Sequence, residues 1–299
     1  MYEVFFNLRE KPFELVPNPA FLYMSKTHKR ALHYLNYGIK ERAGFILLTG
    51  EVGSGKTTLI SDLIKRMDQT VTLAKIFNTK VNSEQLIAAV NDDFGLEVKG
   101  KDKVLLLKEL NDFVVGQHAR GNNPVLIIDE AQNLKPDLLE EIRMLSNLET
   151  DRAKLLQIIL VGQPELRAIL SAAELRQLRQ RISVSCSIHP LTREETAEYI
   201  FHRLEVAGNR QALTFGDGCM DIIYQYCKGI PRLVNIICDY ILLTAYVEET
   251  KKVDTSLICD IVADLDFNSL YWGATVKDRK PAVNYTALLD ALGIEGPKQ

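Results

Sequence analysis

The sequence predicts an α/β fold in which a five-stranded parallel sheet lies between layers of helices, followed by a small all-α domain. Short apolar runs alternate with segments of helical apolar spacing as far as about residue 190, and only helical spacing continues beyond it. A glycine-rich loop also joins the first apolar run to the helix that follows it. Strands that alternate with helices favour a parallel sheet that helices cover on both faces.

Five apolar runs are the predicted strands, because short runs of this kind are typical of buried strands. They cover residues 44–49, 71–77, 125–128, 155–161 and 182–188. The predicted helices among them cover about 27–37, 58–67, 83–94, 102–117, 136–148 and 174–181. The predicted helices of the all-α domain cover about 192–207, 217–227, 231–248 and 255–265.

Glycine, proline and capping residues set several of these boundaries. Gly38 follows the last residue of the first helix and is predicted to be its C-terminal glycine. Thr192 and Glu195 have the spacing of a capping box, which predicts that a helix begins there. Gly229 and Pro231 separate two helices of the all-α domain.

Four segments are predicted along the chain. Residues 1–23 are rich in aromatic side chains and contain three prolines, which favours an irregular segment packed over a core rather than a disordered tail. Together with the first helix they make up residues 1–40. The sheet domain then covers 41–190, the all-α domain 191–266, and a mostly polar tail 267–299.

Composition is that of a soluble globular protein. Hydrophobic residues make up 46% of the chain, and the net charge of −3 provides no overall attraction to DNA or anionic membranes.

The five cysteines are widely spaced and form no C-x-x-C pair, so neither a zinc site nor a disulfide framework is predicted. The longest apolar stretch, 236–247, contains Asp239 and is too short to span a bilayer. We expect a cytoplasmic protein, or one that is held at the inner membrane only through partners.

Residues 50–57, G-E-V-G-S-G-K-T, match the phosphate-loop pattern G-x-x-x-x-G-K-[ST] between a predicted strand and a predicted helix. Glycines let backbone N–H groups converge on phosphate oxygens, and the helix N-terminus adds partial positive charge. Lys56 is expected to reach the β- and γ-phosphates and Thr57 to ligate Mg²⁺. The alternative is a chance glycine-rich turn. The candidate nucleotide-binding residues of this loop are Gly50, Glu51, Val52, Gly53, Ser54, Gly55, Lys56, Thr57 and Thr58.

Two carboxylates, Asp129 and Glu130, directly follow the four aliphatic residues of the third predicted strand. Ligands of open α/β sheets bind in the crevice at the carboxyl ends of the strands. Asp129 is therefore expected to hold Mg²⁺, usually through water, and Glu130 to polarise the water that attacks the γ-phosphate. The alternative is a strand that merely ends in acidic surface residues. After a phosphate loop, the pattern predicts a protein that hydrolyses its nucleotide.

Further short segments of the sequence resemble the AAA+ ATPases, a branch of the P-loop NTPases. Within them the chain is similar to general secretion pathway protein A and to the related exosortase-associated and mannose-sensitive pilus ATPases. The matching segments are 1–8, 12–13, 17–23, 28–32, 44–45, 129–132, 162–166 and 229–232. The resemblance covers roughly residues 1–265 and implies a lid domain after the sheet, with ATP and Mg²⁺ as cofactors.

The resemblance also implies roles for residues outside the two motifs. Gln163 matches the first sensor, a polar side chain that could orient the attacking water. Arg232 matches the second sensor, a lid arginine that touches the γ-phosphate. Tyr23 and His28 match contacts on the adenine side of the nucleotide, with core packing as the alternative.

An arginine finger is implied as well, because AAA+ ATPases place this residue just before the fifth strand, where a neighbouring subunit inserts it. Arg176, Arg179 and Arg181 all precede that strand here. Guanidinium suits the role because it stays charged and binds phosphate bidentately. Arg181 is the first choice, and the other two are expected to be surface or interface residues. A homo-oligomer that forms with bound nucleotide follows from this assignment.

Three functions compete. The first is an ATP-driven ATPase that energises or regulates a secretion, pilus or exopolysaccharide assembly system at the inner membrane. The second is an ATP-switched DNA-binding protein of the transposition target-selector type, because local lysines could still bind a nucleic-acid backbone. The third interprets residues 129–132 as a helicase motif. Such helicases need a second ATPase-like domain, whereas only helices are predicted here after the sheet.

Overall fold

A computed structural model describes residues 1–77, 79, 81–149 and 154–265. The chain forms two compact units. The sheet unit is Met24–His189, and the helical unit is Met1–Tyr23 together with the described chain after His189, residues 190–265. The N-terminal aromatic segment thus belongs to the same unit as the C-terminal helices. The predicted tail, 267–299, lies outside the described residues.

Helices and strands alternate through the sheet unit. The α-helices of the described chain are α1 (Tyr2–Phe5), α2 (Lys26–Lys40), α3 (Lys56–Lys65), α4 (Ser83–Asp93), α5 (Lys103–Ala119), α6 (Pro136–Leu145), α7 (Glu165–Ser171), α8 (Arg176–Arg181), α9 (Arg193–Val206), α10 (Cys219–Cys227), α11 (Pro231–Val247) and α12 (Thr255–Asp264). The strands are β1 (Phe45–Gly50), β2 (Val71–Ile76), β3 (Asn123–Ile128), β4 (Gln157–Gly162), β5 (Ile182–Ile188), β6 (Thr214–Phe215) and β7 (Lys252–Val253). Single turns of 3₁₀ helix cover Pro19–Phe21, Ala131–Asn133 and Ala173–Leu175.

The sheet unit is built on one parallel sheet with the strand order β2-β3-β4-β1-β5. β1, β3 and β4 are buried along their whole length, which explains why they read as continuous apolar runs. On one face, side chains such as Leu47, Leu126 and Ile158 pack with apolar residues of α4, α5 and α6. On the other face, α2 and α3 lie against β5 and β1. The predicted five-stranded parallel sheet between helices is confirmed.

The carboxyl ends of the central strands lie at the same edge of this sheet. Thr49, next to the end of β1, is in register with Gly162, the last residue of β4. Ile128, the last residue of β3, is in register with Leu160 of β4. The residues that follow these strands therefore meet at one edge, as in other parallel sheets that bind ligands there.

Gly38 does not end the first helix, and that prediction was wrong. α2 continues to Lys40, and Gly38 is buried within it. A Cβ atom at this position would lie 2.5 Å from Cδ1 of Ile46. The glycine therefore allows α2 to pack closely against β1, a requirement that helix-end signals in the sequence do not reveal.

The helical unit is packed around α9, α10, α11 and α12. Phe6, Phe13 and Phe21 of the N-terminal segment are buried in this core. The capping box at the start of α9 is confirmed. Glu195 N donates to Thr192 Oγ1 at 3.2 Å, and Thr192 N donates to Glu195 Oε2 at 3.2 Å.

This unit is not entirely helical, which corrects the predicted all-α domain. β6 and β7 form a two-stranded parallel sheet in which Thr214 is in register with Lys252 and Phe215 with Val253. Each strand has only two residues, so neither produces a recognisable apolar pattern in the sequence. Their pairing depends on how the helices bring the two segments together.

A buried arginine joins the N-terminal segment to α9. The Arg203 guanidinium lies 4.8 Å from the ring centre of Phe21 and 5.7 Å from that of Tyr199. It donates to the carbonyl oxygen of Pro12 and, at 2.9 Å, to the Tyr199 hydroxyl. Buried charges need such partners, so this arginine stabilises the irregular segment on the helices.

Within the ranges that the structure describes, each helix falls short of the length and apolarity that a membrane span requires.

Candidate nucleotide-binding and hydrolytic site

The phosphate loop connects the end of β1 to the first residue of α3. β1 ends at Gly50 and α3 begins at Lys56, so the predicted strand, loop and helix are confirmed. Gly53 and Gly55 have φ angles of +76° and +93°, in the left-handed region that favours glycine. At Gly50, a Cβ atom would lie 2.9 Å from the carbonyl oxygen of Ile188. The path of the loop therefore depends on these three glycines.

The Lys56 side chain folds back into the curve of the phosphate loop. Its Nζ donates to the carbonyl oxygens of Gly50 at 2.8 Å and Glu51 at 3.0 Å. Burial lowers the pKa of the Lys56 ammonium, and the carboxylates of Glu130 and Asp129 oppose this shift. A cation buried in a loop of this kind is well placed to bind a phosphate.

Asp129 brings the end of β3 to the phosphate loop. The Thr57 hydroxyl donates to Asp129 Oδ2 at 3.2 Å, and Asp129 is buried. Within the described ranges, no group of three or more His, Cys, Asp or Glu side chains could hold a metal by itself. A hydroxyl and a carboxylate nevertheless fit Mg²⁺, which is usually bound by one or two carboxylates together with phosphate and water oxygens.

Glu130 has a backbone conformation that is unusual for glutamate. Its φ of +52° lies in the left-handed region, which non-glycine residues adopt at a cost and most often near functional sites. The carboxylate is fixed as well, because Glu130 Oε2 accepts from Gln132 Nε2 at 2.6 Å and from Gln163 Nε2 at 3.3 Å. The structure therefore brings the predicted catalytic carboxylate and the predicted first sensor into contact.

Gln132 is a residue to which the sequence assigned no role. Besides donating to Glu130, it accepts at Oε1 from the backbone N–H of Gln163 at 3.0 Å. A Cβ atom on Gly162 would lie 2.8 Å from this same oxygen, so the glycine makes room for the amide. Gln132 thus links the end of β4 to Glu130. Its place directly after the two carboxylates was visible in the sequence, but its partner on another strand was not.

His28 contacts the phosphate loop from α2. Its Nε2 lies 3.0 Å from the carbonyl oxygen of Ser54, and its Nδ1 lies 2.7 Å from Ser25 Oγ. Because a carbonyl only accepts, Nε2 carries a proton, and in the neutral imidazole Nδ1 then accepts from the Ser25 hydroxyl. In the described chain, Ser54 Oγ is buried without a hydrogen-bond partner. Such an orphaned hydroxyl is compatible with a polar ligand in the loop.

Arg167 of α7 is a second residue without a predicted role. Its guanidinium donates to Thr49 Oγ1 at 3.0 Å, to Ser185 Oγ at 3.0 Å and to Ser187 Oγ at 2.9 Å. Thr49 directly precedes the phosphate loop. Among the described residues no carboxylate pairs with this cation, so it adds positive charge beside the loop. Only the folded sheet brings these residues together.

Comparison with known proteins identifies the fold family. Residues 39–170 match the AAA domain family. The chain carries an AAA+ domain. It is also 42% identical over 254 residues to general secretion pathway protein A of Aeromonas hydrophila, and the alignment covers 85% of this chain and 46% of that protein. The AAA+ chain thus spans about half the length of this curated relative, and the predicted resemblance is confirmed.

Solved AAA+ structures share the fold at low sequence identity. The ORC2 protein of Aeropyrum pernix has a TM-score of 0.65 and 17% identity over 85% of this chain and 71% of that chain. The RuvB Holliday junction branch migration motor of Thermotoga maritima has a TM-score of 0.54 and 17% identity over 97% of this chain and 86% of that chain. At such identities these likenesses establish the AAA+ fold alone.

The three arginines before β5 have different surroundings in this AAA+ domain. Arg181 is half-buried and donates to Ser146 Oγ, and Arg179 donates to the carbonyl oxygen of Leu170 at 3.0 Å. Arg176 is exposed and makes no hydrogen bond or ion pair with any described residue. The first-choice finger, Arg181, therefore has a partner in its own chain, and its role stays a prediction.

Two other predicted site residues of the AAA+ protein belong to the helical unit. The Tyr23 hydroxyl donates to Glu198, and its ring packs edge-on against Tyr199 at 6.0 Å between centroids. Arg232 is exposed at the second residue of α11. Their contacts with a nucleotide, and that of His28 with adenine, stay predictions.

Proposed function

We propose that this AAA+ protein binds ATP with Mg²⁺ and hydrolyses it. The proposal is carried by one observation: residues that follow the ends of β1, β3 and β4 contact one another at the same edge of the sheet. Thr57 after β1 contacts Asp129 after β3 at 3.2 Å, and Glu130 is held by Gln163 after β4. A phosphate loop, a metal-binding pair and a positioned carboxylate are the parts that nucleotide hydrolysis requires.

Each residue has a distinct task in the proposed reaction. Lys56 binds the β- and γ-phosphates, and Thr57 and Asp129 hold Mg²⁺, which neutralises phosphate charge when bound. Glu130 accepts the proton from the attacking water, and Gln163 orients that water. Burial of Lys56 and Asp129 strengthens their electrostatic contacts because less water screens them.

Two substitutions separate nucleotide binding from hydrolysis. Lys56→Ala should abolish binding, because the ammonium neutralises phosphate charge already in the ground state. Glu130→Gln should bind a fluorescent ATP analogue normally and stop turnover, because it changes only the group that acts on water. Lys65→Ala is the matched control, since Lys65 is exposed at the other end of the same helix. Turnover by Glu130→Gln at near the wild-type rate would disprove the catalytic assignment.

The cellular role we propose is to energise or regulate a secretion, pilus or exopolysaccharide assembly system. The similarity to general secretion pathway protein A supports it, over 85% of this chain. The protein would act in the cytoplasm, at the inner membrane through its partners. Capture with Glu130→Gln and ATP should recover membrane assembly components that Lys56→Ala does not recover.

A neighbouring subunit is part of the proposed mechanism. Arg181, or one of Arg176 and Arg179, would reach the γ-phosphate of the next copy, so that assembly depends on ATP. Arg232 would report nucleotide state from the lid, and Tyr23 and His28 would bind on the adenine side. The alternative function, ATP-switched DNA binding as in transposition target selection, predicts turnover that DNA stimulates and that falls steeply with salt.

A further inference from the structure

The exposed side of α2 has an unusual composition. Its exposed positions follow helical spacing, so they form one continuous side of the helix. Lys26 occupies the first position, and the remaining exposed residues, which we call the basic face, are Lys29, Arg30, His33, Tyr34, Tyr37 and Lys40. Tyr34 is 45% exposed and Tyr37 is 60% exposed. No aliphatic and no acidic side chain is exposed on this helix, which lies entirely within the described residues.

Three cations of the basic face lack an acidic partner among the residues that the structure describes. No acidic residue occurs between Lys26 and Lys40, and the next carboxylate is that of Glu41. Lys29, Arg30 and Lys40 form no ion pair with any described residue. The whole chain has a net charge of −3, so this concentration of cations is local.

Folding does not explain the basic face. The opposite side of α2 buries Ala31, Leu32 and Leu35, and the exposed side is not needed for that packing. Lys26, Lys29 and Arg30 lie near the positive end of the helix dipole, where cations are unfavourable and acidic residues stabilise. A bound anion would offset this repulsion.

We propose that the basic face of α2 binds the phosphate backbone of nucleic acid, with its tyrosines against sugars or bases. Cations and aromatic rings together are typical of such surfaces, because phosphates pair with the first and bases stack on the second. An anionic membrane fits the basic face less well than nucleic acid does. Helices that bind membranes insert an apolar face, whereas the apolar face of α2 is buried inside the protein. This inference does not depend on ATP hydrolysis, because none of these residues belongs to the proposed catalytic machinery.

The main test compares two triple substitutions by fluorescence anisotropy. The first, Lys29→Gln/Arg30→Gln/Lys40→Gln, neutralises the basic face. The control, Lys99→Gln/Lys108→Gln/Arg120→Gln, removes the same charge from exposed positions elsewhere in the sheet unit. The probes are a labelled duplex and a labelled single strand, each about 30 nucleotides long, measured across salt concentrations upward from about 50 mM.

Wild-type and control proteins should bind with affinities that fall steeply with salt. The basic-face variant should bind at least about tenfold more weakly at low salt, and its slope of log affinity against log salt should be smaller by about 0.9 for each duplex phosphate that it no longer neutralises. Tyr34→Ser/Tyr37→Ser should weaken single-strand binding by about tenfold with little change in the slope, because stacking is not ionic. Circular dichroism and ATP-analogue binding should match the wild type in every variant.

Three results would overturn the proposal. One is wild-type protein that fails to bind either probe at low salt. Another is equal weakening by the control triple substitution, which would mean that binding is spread over the surface. The last is wild-type protein that binds only to vesicles that contain phosphatidylglycerol, together with a basic-face variant that does not bind them. This result would mean that the basic face binds a membrane. None of these results would affect the ATP-analogue binding that tests the proposed function.

Discussion

At the scale of single residues, Glu130 carries the proposed chemistry and two glutamines fix its position. Gln132 and Gln163 both donate to Glu130 Oε2, and Gln132 also accepts from the backbone of Gln163. The backbone of Glu130 has a φ angle in the left-handed region, and this conformation sets the direction in which the side chain leaves the chain. A general base acts well only within hydrogen-bond reach of its proton, so these contacts bear directly on turnover.

Replacing Gln132 should therefore lower turnover without weakening nucleotide binding. Gln132→Ala removes the link between Glu130 and β4, and kcat should fall about tenfold or more, within the roughly 10²–10⁴-fold that a general base contributes. KM should stay within a few-fold, because the proposed nucleotide contacts lie elsewhere. Steady-state ATPase kinetics measure both values.

A second substitution separates the effect of the size of the Gln132 side chain from the effect of its hydrogen bond to Glu130. Gln132→Glu keeps the size but places a carboxylate against Glu130, so its kcat should be at least as low as that of Gln132→Ala. Gln211→Ala, at an exposed position of the helical unit, is the control. A large loss of thermal stability in both Gln132 variants, in step with the loss of kcat, would instead indicate a purely structural role.

Single substitutions can also show which arginine acts as the finger. Arg181→Ala should keep ATP affinity within a few-fold and lose most hydrolysis, since a finger contributes on the order of 10³ or more. One or both of Arg176→Ala and Arg179→Ala should stay active. ATP-analogue binding and phosphate release measure the two properties.

The hydrogen bond from Arg181 to Ser146 needs its own control. Ser146→Ala removes this contact and keeps the guanidinium, so hydrolysis should persist if the finger acts on a neighbour. Mixed assemblies of Arg181→Ala with Lys56→Ala should regain activity, because one subunit supplies the loop and the other supplies the finger. If the two variants assemble together and activity does not return, Arg181 acts on the nucleotide of its own subunit or takes no part in hydrolysis.

At the scale of elements, the packing of α2 on β1 explains a glycine that helix propensity opposes. Gly38→Ala improves helix propensity but puts a Cβ atom 2.5 Å from Ile46. Overpacking of this kind costs about 1–3 kcal/mol, which exceeds the gain, so the free energy of unfolding should fall. Urea denaturation monitored by circular dichroism measures the change.

Gly116 provides the matched control for this prediction. It lies in α5, and among the described residues nothing outside the adjacent backbone of that helix lies within 4 Å of a Cβ atom built on it. Gly116→Ala should therefore raise the free energy of unfolding by roughly 0.5–1 kcal/mol, as helix propensity predicts. If both substitutions stabilise the protein, the close contact at Gly38 does not limit its packing.

At the scale of the whole molecule, the trans finger predicts that ATP promotes self-association. Assembly is favoured only when a γ-phosphate is present for the neighbour's arginine, and linkage makes binding and association reinforce each other. Glu130→Gln should sediment as an oligomer with ATP and as a smaller species with ADP or no nucleotide. Arg181→Ala should weaken this response. A monomer under all three conditions at micromolar protein would contradict the proposal.

Local signals determined much of this molecule. β5 has the bounds that its apolar run predicts, 182–188, and the capping box at Thr192 makes both expected bonds. The phosphate loop and the Asp129-Glu130 pair were recognisable because their residues are contiguous or follow a strand directly. Buried strands read as apolar runs because both of their faces lack water, so the parallel sheet was predictable too.

Only the tertiary structure decided which distant residues meet. The hydrogen bond that the backbone N–H of Gln163 donates to Gln132, and the one between His28 and the carbonyl oxygen of Ser54, join residues on different elements. The two-residue strands β6 and β7 and the contact of Gly38 with Ile46 depend likewise on how elements pack. Periodicity and motif spacing record interactions between sequence neighbours. These contacts arise between elements after the chain has folded, so the sequence by itself holds no local signal for them.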